Sequence, residues 1–147
     1  MFRGRFESSI DIKGRTSVPS KFREILSSRS EEKLILTNFD GCLWAYPVKA
    51  WQEIEEKIAQ LPQLKPEVKA LQRVFVSAAS ECPIDKQGRI LLPAYLKDHA
   101  EIKRDVIIVG VSNRIEIWSK EKWQEFYANS RQSFEQIAEK LYDGGAA

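Results

Sequence analysis

The sequence predicts an α+β fold made of two copies of one half, each combining short β-strands with helices. The first observation is an internal repeat: residues 10–19 align with residues 84–93, with identical residues at the Ile, Asp, Gly, Arg and Pro positions. The second is that the Trp-Gln-Glu of residues 51–53 recurs at residues 123–125. The number of residues that separates equivalent positions in the two copies, the offset, falls from 74 in the first match to 72 in the second. This change is placed in the serine-rich residues 27–30. A duplicated chain is therefore the first expectation.

Each copy opens with a short strand that runs into an Asp-x-x-Gly-Arg motif. Gly14 and Gly88 stand where a tight turn needs a positive φ. A second strand follows and ends at Pro19 or Pro93. The next element of the first copy is a short helix, with Ser20 available as its N-cap. Three apolar residues recur at the spacing of one helix face: Phe22, Ile25 and Leu26.

A β-hairpin follows in each copy, and a longer helix closes each copy. The turn pair Asp40-Gly41 is favoured in two-residue hairpins, and Ser112-Asn113 holds the equivalent place. The predicted hairpin strands cover residues 34–36, 43–46, 106–111 and 115–118. The predicted closing helices cover residues 48–61 and 120–141.

The domain organisation follows from the repeat. We expect a first half at residues 1–63, a connecting helix at residues 64–79, and a second half at residues 80–147. The connecting helix is expected to begin after Pro66, and its apolar face consists of Val68, Leu71, Phe75 and Ala78. Because no long flexible linker separates the halves, they are expected to share a core.

The charge of the chain is unevenly distributed. The net charge is only +2, but residues 1–23 contain six basic residues against two acidic ones, which gives +4. The remaining residues therefore sum to −2, and the equivalent window 75–97 carries +1. This asymmetry places the expected anion-binding surface in the first copy.

The location and redox state can be predicted from simple sequence features. The start of the chain lacks a signal-peptide pattern, and no apolar run approaches the ~20 residues that span a bilayer. We therefore expect a cytoplasmic protein without membrane contact. The positions of Cys42 and Cys82 do not have the spacing of metal ligands. Both are expected to be free thiols that are buried and pack as small apolar side chains. Trp51 and Trp123, which both copies keep, are expected in the core.

The repeated motif has two physical interpretations. The carboxylates of Asp11 and Asp85 can accept hydrogen bonds from turn amides and can face Arg15 and Arg89, four residues further on. The two pairs then serve only to shape the turns. Alternatively, an Arg fork at this place can grip a phosphate or a guanine edge. The residues alone leave both interpretations open.

An enzyme is the disfavoured interpretation. Two equivalent aspartates suggest a carboxylate dyad that shares a proton. A neighbouring cation lowers the pKa of a carboxylate by about 1 to 3, so the arginines would keep both groups ionised. His99 is a lone histidine on the short helix of the second copy. With no phosphate-binding glycine loop and no metal-ligand cluster in the sequence, we expect no catalytic residue, metal, cofactor or small-molecule substrate.

The motif resembles a known family. Residues 84–93 are similar to the signature of AbrB-like swapped-hairpin DNA-binding domains. Two copies in one chain of 147 residues resemble the MraZ family. The matching residues are Met1-Phe2-Arg3-Gly4, then Asp11-x-Lys13-Gly14-Arg15, Pro19 and Phe22-Arg23. The strand after the first motif is more polar than the strand after the second, so the first is expected to be the more exposed.

The resemblance implies both a fold and a function. It implies swapped-hairpin β-barrel halves fused into an intrachain pseudo-dimer with flanking helices. It also implies a ring-shaped homo-oligomer, commonly an octamer, associated with the nucleoid. This assembly would bind double-stranded DNA at short direct repeats upstream of the division and cell-wall gene cluster, and would repress that cluster.

The expected DNA-binding residues lie in the first copy. They are Arg3, Lys13, Gly14 and Arg15, with Arg5 secondary. Asp11, Asp85, Gly88 and Arg89 are expected to be structural motif residues, and Lys21 and Arg23 a solvated helix face. The alternative function is an antitoxin-type interaction module without DNA regulation of its own. Residues 142–147 are expected to be too short a tail to wrap a toxin, which counts against this alternative.

Overall fold

The elements of the first half recur in the second half in the same order. The structure is a computed structural model that describes residues 1–146, with side chains up to Asp143. Ala147, which the sequence analysis assigns to the second half and its tail, lies outside the described residues. The elements are β1 Phe2–Ser9, β2 Arg15–Ser17, α1 Ser20–Ser28, β3 Lys33–Phe39, β4 Cys42–Pro47, α2 Val48–Ala59, α3 Pro66–Leu71, a π-helical turn Gln72–Val76, β5 Ser80–Pro83, β6 Arg89–Leu91, α4 Ala94–His99, β7 Asp105–Ser112, β8 Arg114–Ser119 and α5 Lys120–Ala146.

The two halves exchange their first strands. The main sheet is antiparallel with the order β1-β7-β8-β4-β3-β5, so β1 pairs with the second half's hairpin and β5 with the first half's hairpin. The registers are equivalent: Ser8 lies opposite Val106, and Cys82 lies opposite Leu34. Strands β2 and β6 pair separately as a two-stranded ribbon. Neither half therefore completes its sheet with its own strands.

One core serves both halves, as the sequence predicts. It lies between the main sheet and the layer formed by the β2–β6 ribbon, α1 and α4. Phe22 and Leu26 from the first half and Leu92 and Leu96 from the second belong to the same buried cluster. The outer face of the sheet is covered by α2 and the α3 segment at one end and by the start of α5 at the other.

The predicted hairpins are present. Asp40 and Gly41 both have positive φ, 54° and 74°, as a two-residue hairpin loop favours. Ser112 has φ 62° in the equivalent loop. The connecting helix begins at Pro66 itself, and it changes to a π-helical turn after Leu71.

Some helix boundaries differ from the sequence prediction. Ser20 is not the N-cap of α1: it is the first helical residue after Pro19, and its side chain makes no capping hydrogen bond. Helix α2 ends at Ala59, two residues earlier than predicted. Helix α5 continues to Ala146, so the predicted tail is helical as far as the description extends. Helix α4 is three residues shorter than α1, and the segment that follows it is one residue longer, which together account for the two-residue change in the offset of the repeat.

The predictions for tryptophan and cysteine have mixed outcomes. Trp51 is buried, as predicted. Trp123 is only half-buried, because it lies in the first turn of α5 and packs from there against the outer face of the sheet. Cys42 and Cys82 are both free and buried, as predicted. Burial raises the pKa of the Cys82 thiol to about 11 and also raises the pKa of Cys42.

Candidate nucleic-acid interface

The first Asp-x-x-Gly-Arg motif forms a tight turn organised around one carboxylate. Asp11 Oδ1 accepts hydrogen bonds from the backbone N–H groups of Lys13 (3.0 Å) and Arg15 (2.8 Å). Asp11 Oδ2 accepts a hydrogen bond from Arg15 Nε at 2.7 Å. Gly14 has φ 88°, a left-handed backbone conformation that residues other than glycine rarely adopt. The motif residues are therefore the ones that shape this turn.

The second motif repeats this geometry. Asp85 Oδ1 accepts the N–H groups of Gln87 and Arg89, both at 2.9 Å. Arg89 Nε donates to Asp85 Oδ2 at 3.1 Å, and Gly88 has φ 78°. The structural interpretation of the motif thus holds in both copies. The binding interpretation is compatible with it, because each carboxylate accepts its side-chain hydrogen bond from Nε and not from a terminal guanidinium nitrogen of its own arginine.

Both carboxyl groups are held ionised. The pKa of Asp11 is lowered, chiefly because the backbone N–H of Arg15 donates to the carboxylate, and the Arg15 side chain adds to the effect. The N–H and side chain of Arg89 lower the pKa of Asp85 in the same way. The predicted direction is correct, but the backbone hydrogen bond is the larger cause. Two aspartates that are both ionised at neutral pH are unsuited to sharing a proton.

The double variant Asp11→Asn/Asp85→Asn is expected to be less stable than the wild type at neutral pH. Because each folded-state pKa lies below the ordinary Asp value of about 3.9, the stabilisation is fully present above that value and is lost as pH falls through the folded-state pKa. Thermal unfolding of both proteins, at neutral pH and again in strong acid, measures the difference. A difference that persists unchanged in strong acid would contradict the ionic origin of the effect.

The ribbon brings the two motifs onto one surface. In β2 and β6, Arg15 lies opposite Leu91 and Ser17 lies opposite Arg89, so all four side chains share the outer face of the ribbon. We name residues 10–19 and 84–93 the motif ribbon. Its two ends are closed by equivalent hydrogen bonds, from the N–H of residue 18 to the carbonyl of Gly88 and from that of residue 92 to the carbonyl of Gly14.

The predicted difference in exposure between the two motif strands is wrong. Thr16 and Ile90 lie opposite each other in the ribbon, and both are buried against the core. The Thr16 hydroxyl is tolerated there because it forms a hydrogen bond of 3.0 Å with Ser8 Oγ. On the outer face, by contrast, Leu91 of the apolar strand is 56% exposed. Pairing rather than polarity sets the exposure of each strand.

The electrostatic environments of the two arginines differ. Arg15 pairs with the single carboxylate of Asp11 at 2.7 Å. Arg89 lies between two carboxylates, 3.1 Å from Asp85 and 4.0 Å from Asp11. More of the Arg89 charge is therefore neutralised within the protein. Arg15 is the better placed of the two to attract an anion.

Arg3 and Arg5 lie apart from the motif ribbon. Both are exposed on β1, on the outer face of the main sheet. The guanidinium of Arg5 lies over the ring of Tyr127, 4.8 Å from its centroid, and 5.5 Å from that of Trp123. Cation–π contact of this kind holds Arg5 against α5. The structure brings Lys13, Gly14 and Arg15 together but places the other two candidates on another surface.

Arg23 is not simply part of a solvated helix face. Its Nε donates to the carbonyl of Val18 at 3.0 Å, and its side chain covers Gly88, where a Cβ would lie 2.6 Å from Arg23 Cζ. Lys97 holds the equivalent place over Gly14. The sequence shows only that Arg23 and Lys97 are equivalent, because they are 74 residues apart, and it does not show the contact itself. Lys21 is exposed, as predicted.

Other candidate sites are weak. His99 is exposed at the end of α4. Among the described residues, no group of three or more His, Cys, Asp or Glu side chains is placed to hold a metal ion. Within the same part of the chain, none of the helices combines the length and apolar character needed to cross a bilayer.

Comparison with known proteins agrees with the duplicated architecture. A family model described as "MraZ protein", and further as antitoxin-like, matches residues 1–74 and again residues 75–144. The chain belongs to the MraZ family. It is 51% identical over 144 residues to the "Transcriptional regulator MraZ" of Thermoanaerobacter sp. (strain X514), covering 97% of this chain and 98% of that protein.

Other MraZ relatives are similar over the same extent. The protein of this name from Natranaerobius thermophilus is 48% identical, with 97% of this chain and 98% of the relative covered. The one from Pediococcus pentosaceus is 45% identical, with 99% of both chains covered. These relatives are named as transcriptional regulators, which favours regulation over catalysis as the role of the MraZ family.

Proposed function

We propose that this chain is a sequence-specific DNA-binding transcriptional regulator that reads DNA with the motif ribbon. The observation that carries the proposal is the way Asp11 holds Arg15. Because Arg15 Nε donates to Asp11 Oδ2, the guanidinium is held in place while its terminal nitrogens can bind another group. Lys13 is exposed beside it, on the same turn. A positioned arginine fork next to an exposed lysine suits a polyanion that also carries base edges.

The shape of the ribbon supports contact in the major groove. That groove admits a two-stranded β-ribbon, and several DNA-binding proteins use strands in this way. Arg15 can then bind guanine O6 and N7 with two nitrogens, and Lys13 can bind a neighbouring phosphate. The backbone of Gly14 allows close approach because it carries no side chain. Arg3 and Arg5 lie on β1, outside the motif ribbon, and are proposed as separate contacts with the DNA.

The architecture is proposed to be AbrB-like, with one swapped-hairpin half at residues 1–63 and another at residues 80–147. The exchange of β1 and β5 between the halves supports this proposal. Residues 64–79 join the halves, and the boundary between the two family-model matches falls within them.

The proposed assembly is a ring of identical subunits, an octamer by resemblance to the MraZ family, acting at the nucleoid in the cytoplasm. It binds short direct repeats upstream of the division and cell-wall gene cluster and represses that cluster. A ring suits the modest net charge of +2, because linked sites raise avidity by about 10²–10⁴ without new contacts.

Titration of the wild-type protein tests the proposal. The probes are DNA from upstream of its own gene and random DNA of equal length, each at two salt concentrations. We expect tighter binding to the upstream DNA, and a salt slope of about 0.9 for each phosphate contact. Equal affinity for both probes would contradict sequence-specific recognition.

A second candidate is an antitoxin-type interaction module. The antitoxin-like description of the matching family favours it. Such a module would bind a protein partner and would not itself regulate transcription by binding DNA. The same titration separates the two functions, because failure to bind any DNA would leave only the interaction module.

A further inference from the structure

Two apolar side chains are exposed beside the first motif's arginine. Ile12, in the middle of the motif turn, is fully exposed, and Leu91, in β6, is 56% exposed. Leu91 lies directly opposite Arg15 in the ribbon, and residues paired in this way have Cβ atoms about 4.5–5.5 Å apart. The Leu91 side chain also reaches the turn, because its Cδ1 lies 3.6 Å from the place that a Cβ of Gly14 would take. The polar site around Arg15 is therefore bordered by apolar surface from the turn and from the opposite strand.

The second motif has polar residues at both equivalent positions. The residues that correspond to Ile12 and Leu91, each 74 positions away, are Lys86 and Ser17. Both are exposed, and Ser17 lies opposite the second motif's arginine just as Leu91 lies opposite the first motif's. The same turn geometry and strand pairing thus carry polar side chains in one copy and apolar side chains in the other. The fold of the ribbon does not require apolar residues at these places.

The charges around the apolar pair indicate what kind of partner it meets. Lys13 is exposed next to Ile12 on the same turn, and Arg15 is the cross-strand neighbour of Leu91. A complementary partner carries phosphate groups, acceptors for an arginine and an apolar group within a short distance of each other. The major groove of DNA offers all three, because guanine O6 and N7 accept from arginine and thymine displays its C5-methyl group. The apolar pair therefore suits a thymine methyl.

We propose that Ile12 and Leu91 bind the C5-methyl group of a thymine that lies within two base pairs of the guanine bound by Arg15. The inference rests on the proposed function and deepens it, because it names a base of the recognised sequence. The distance follows from the ribbon: successive nucleotides of one strand rise by about 3.4 Å, so a side chain about 4.5–5.5 Å from Arg15 meets the first or second neighbouring base pair. Leu91 is then the second copy's contribution to a site whose charges come from the first.

Deoxyuridine in place of thymidine tests this contact, because it removes the C5-methyl group and keeps the base pair. We expect the wild type to bind fully substituted upstream DNA at least about fourfold more weakly than the natural sequence, the change that corresponds to burying one methyl group. The variant Ile12→Ser/Leu91→Ser is expected to bind both probes equally. The control Ser17→Ala/Lys86→Ala changes the equivalent positions of the second copy and is expected to keep the wild-type ratio between the probes.

The outcomes separate the thymine contact from the regulator function. Equal binding of the wild type to both probes overturns the contact, and so does an undiminished methyl effect in Ile12→Ser/Leu91→Ser. Either result leaves the regulator function intact if the wild type prefers upstream DNA to random DNA. A wild type without that preference contradicts the regulator function and the thymine contact together. Because both substituted residues are exposed, the thermal midpoint of the double variant is expected to match that of the wild type.

Single substitutions in the DNA locate the contacted thymine. Deoxyuridine replaces one thymidine at a time, and methylation of guanine N7 marks the base that Arg15 binds, because it blocks that acceptor. We expect the methyl-sensitive thymine to lie within two base pairs of a methylation-sensitive guanine whose sensitivity is lost in Arg15→Ala. A methyl-sensitive thymine farther away would assign the methyl contact to other residues and overturn the proposal.

Discussion

Arg15→Ala is expected to weaken binding to the upstream DNA far more than Arg89→Ala does. Both arginines lie on the outer face of the motif ribbon, but Arg89 is shared between Asp85 and Asp11, whereas Arg15 has one carboxylate partner among the described side chains. A bidentate base contact contributes about 1–3 kcal/mol, or roughly 5- to 150-fold in affinity. In a multivalent complex the loss recurs at every engaged subunit. Affinity titration of both variants on upstream and random DNA measures the effect.

Three results would change the interpretation of this experiment. Equal losses from Arg15→Ala and Arg89→Ala would mean that both motifs bind DNA, and that the restriction of polar DNA contacts to the first copy is wrong. Normal affinity in Arg15→Ala would mean that the Asp11–Arg15 pair only shapes the turn. A uniform loss on all DNA, with a salt slope smaller by about 0.9, would assign Arg15 to a phosphate rather than a base. Oligomer size serves as the control and is expected to stay constant in both variants.

Leu92→Ala is expected to destabilise the whole chain, whereas Leu91→Ala is expected to have little effect. Leu92 is 2% exposed and belongs to the core shared by both halves, but its neighbour Leu91 is 56% exposed on the outer face of the ribbon. Truncation of a buried leucine to alanine costs about 2–5 kcal/mol, because apolar contacts are lost and a cavity remains. At this chain length that is about 4–20 °C in Tm.

The shape of the unfolding curve tests the shared core. Because β1 and β5 are exchanged between the halves, Leu92→Ala should lower the midpoint of one cooperative transition. Calorimetry and circular dichroism should report the same midpoint. Two separate transitions, with only one shifted by Leu92→Ala, would show that the halves fold as independent units. A large shift in Leu91→Ala would show that exposure on the ribbon does not predict the energetic cost.

The repeat could be read from the sequence because it depends on local chemistry. The tight turns need a positive φ at Gly14 and Gly88, which favours glycine there. In each turn the Asp carboxylate accepts hydrogen bonds from the N–H groups of the residues two and four positions further on. These constraints act within five residues, so the sequence shows them directly. The hairpin at Asp40-Gly41 is predictable for the same reason, since its two positive φ values restrict the residues that fit.

Contacts between the copies could not be read in this way. The exposure of a strand depends on its partner, and the β2–β6 pairing buries Thr16 as completely as Ile90 despite its hydroxyl group. Likewise, the position of Arg89 near Asp11 and the packing of Arg23 over Gly88 join residues that are more than 60 positions apart. No local pattern encodes such distances.

The sequence by itself determined the duplication, the turn chemistry, the hairpins and the family, because each rests on short-range preferences or on direct similarity. The tertiary structure alone decided which strands the two halves exchange, and that the two arginines share one face with unequal carboxylate partners. It also decided that Arg5 lies over the aromatic rings of α5 and not beside Arg15. These outcomes depend on which strand pairs with which, and that choice is made by burying the apolar faces of both halves in one core.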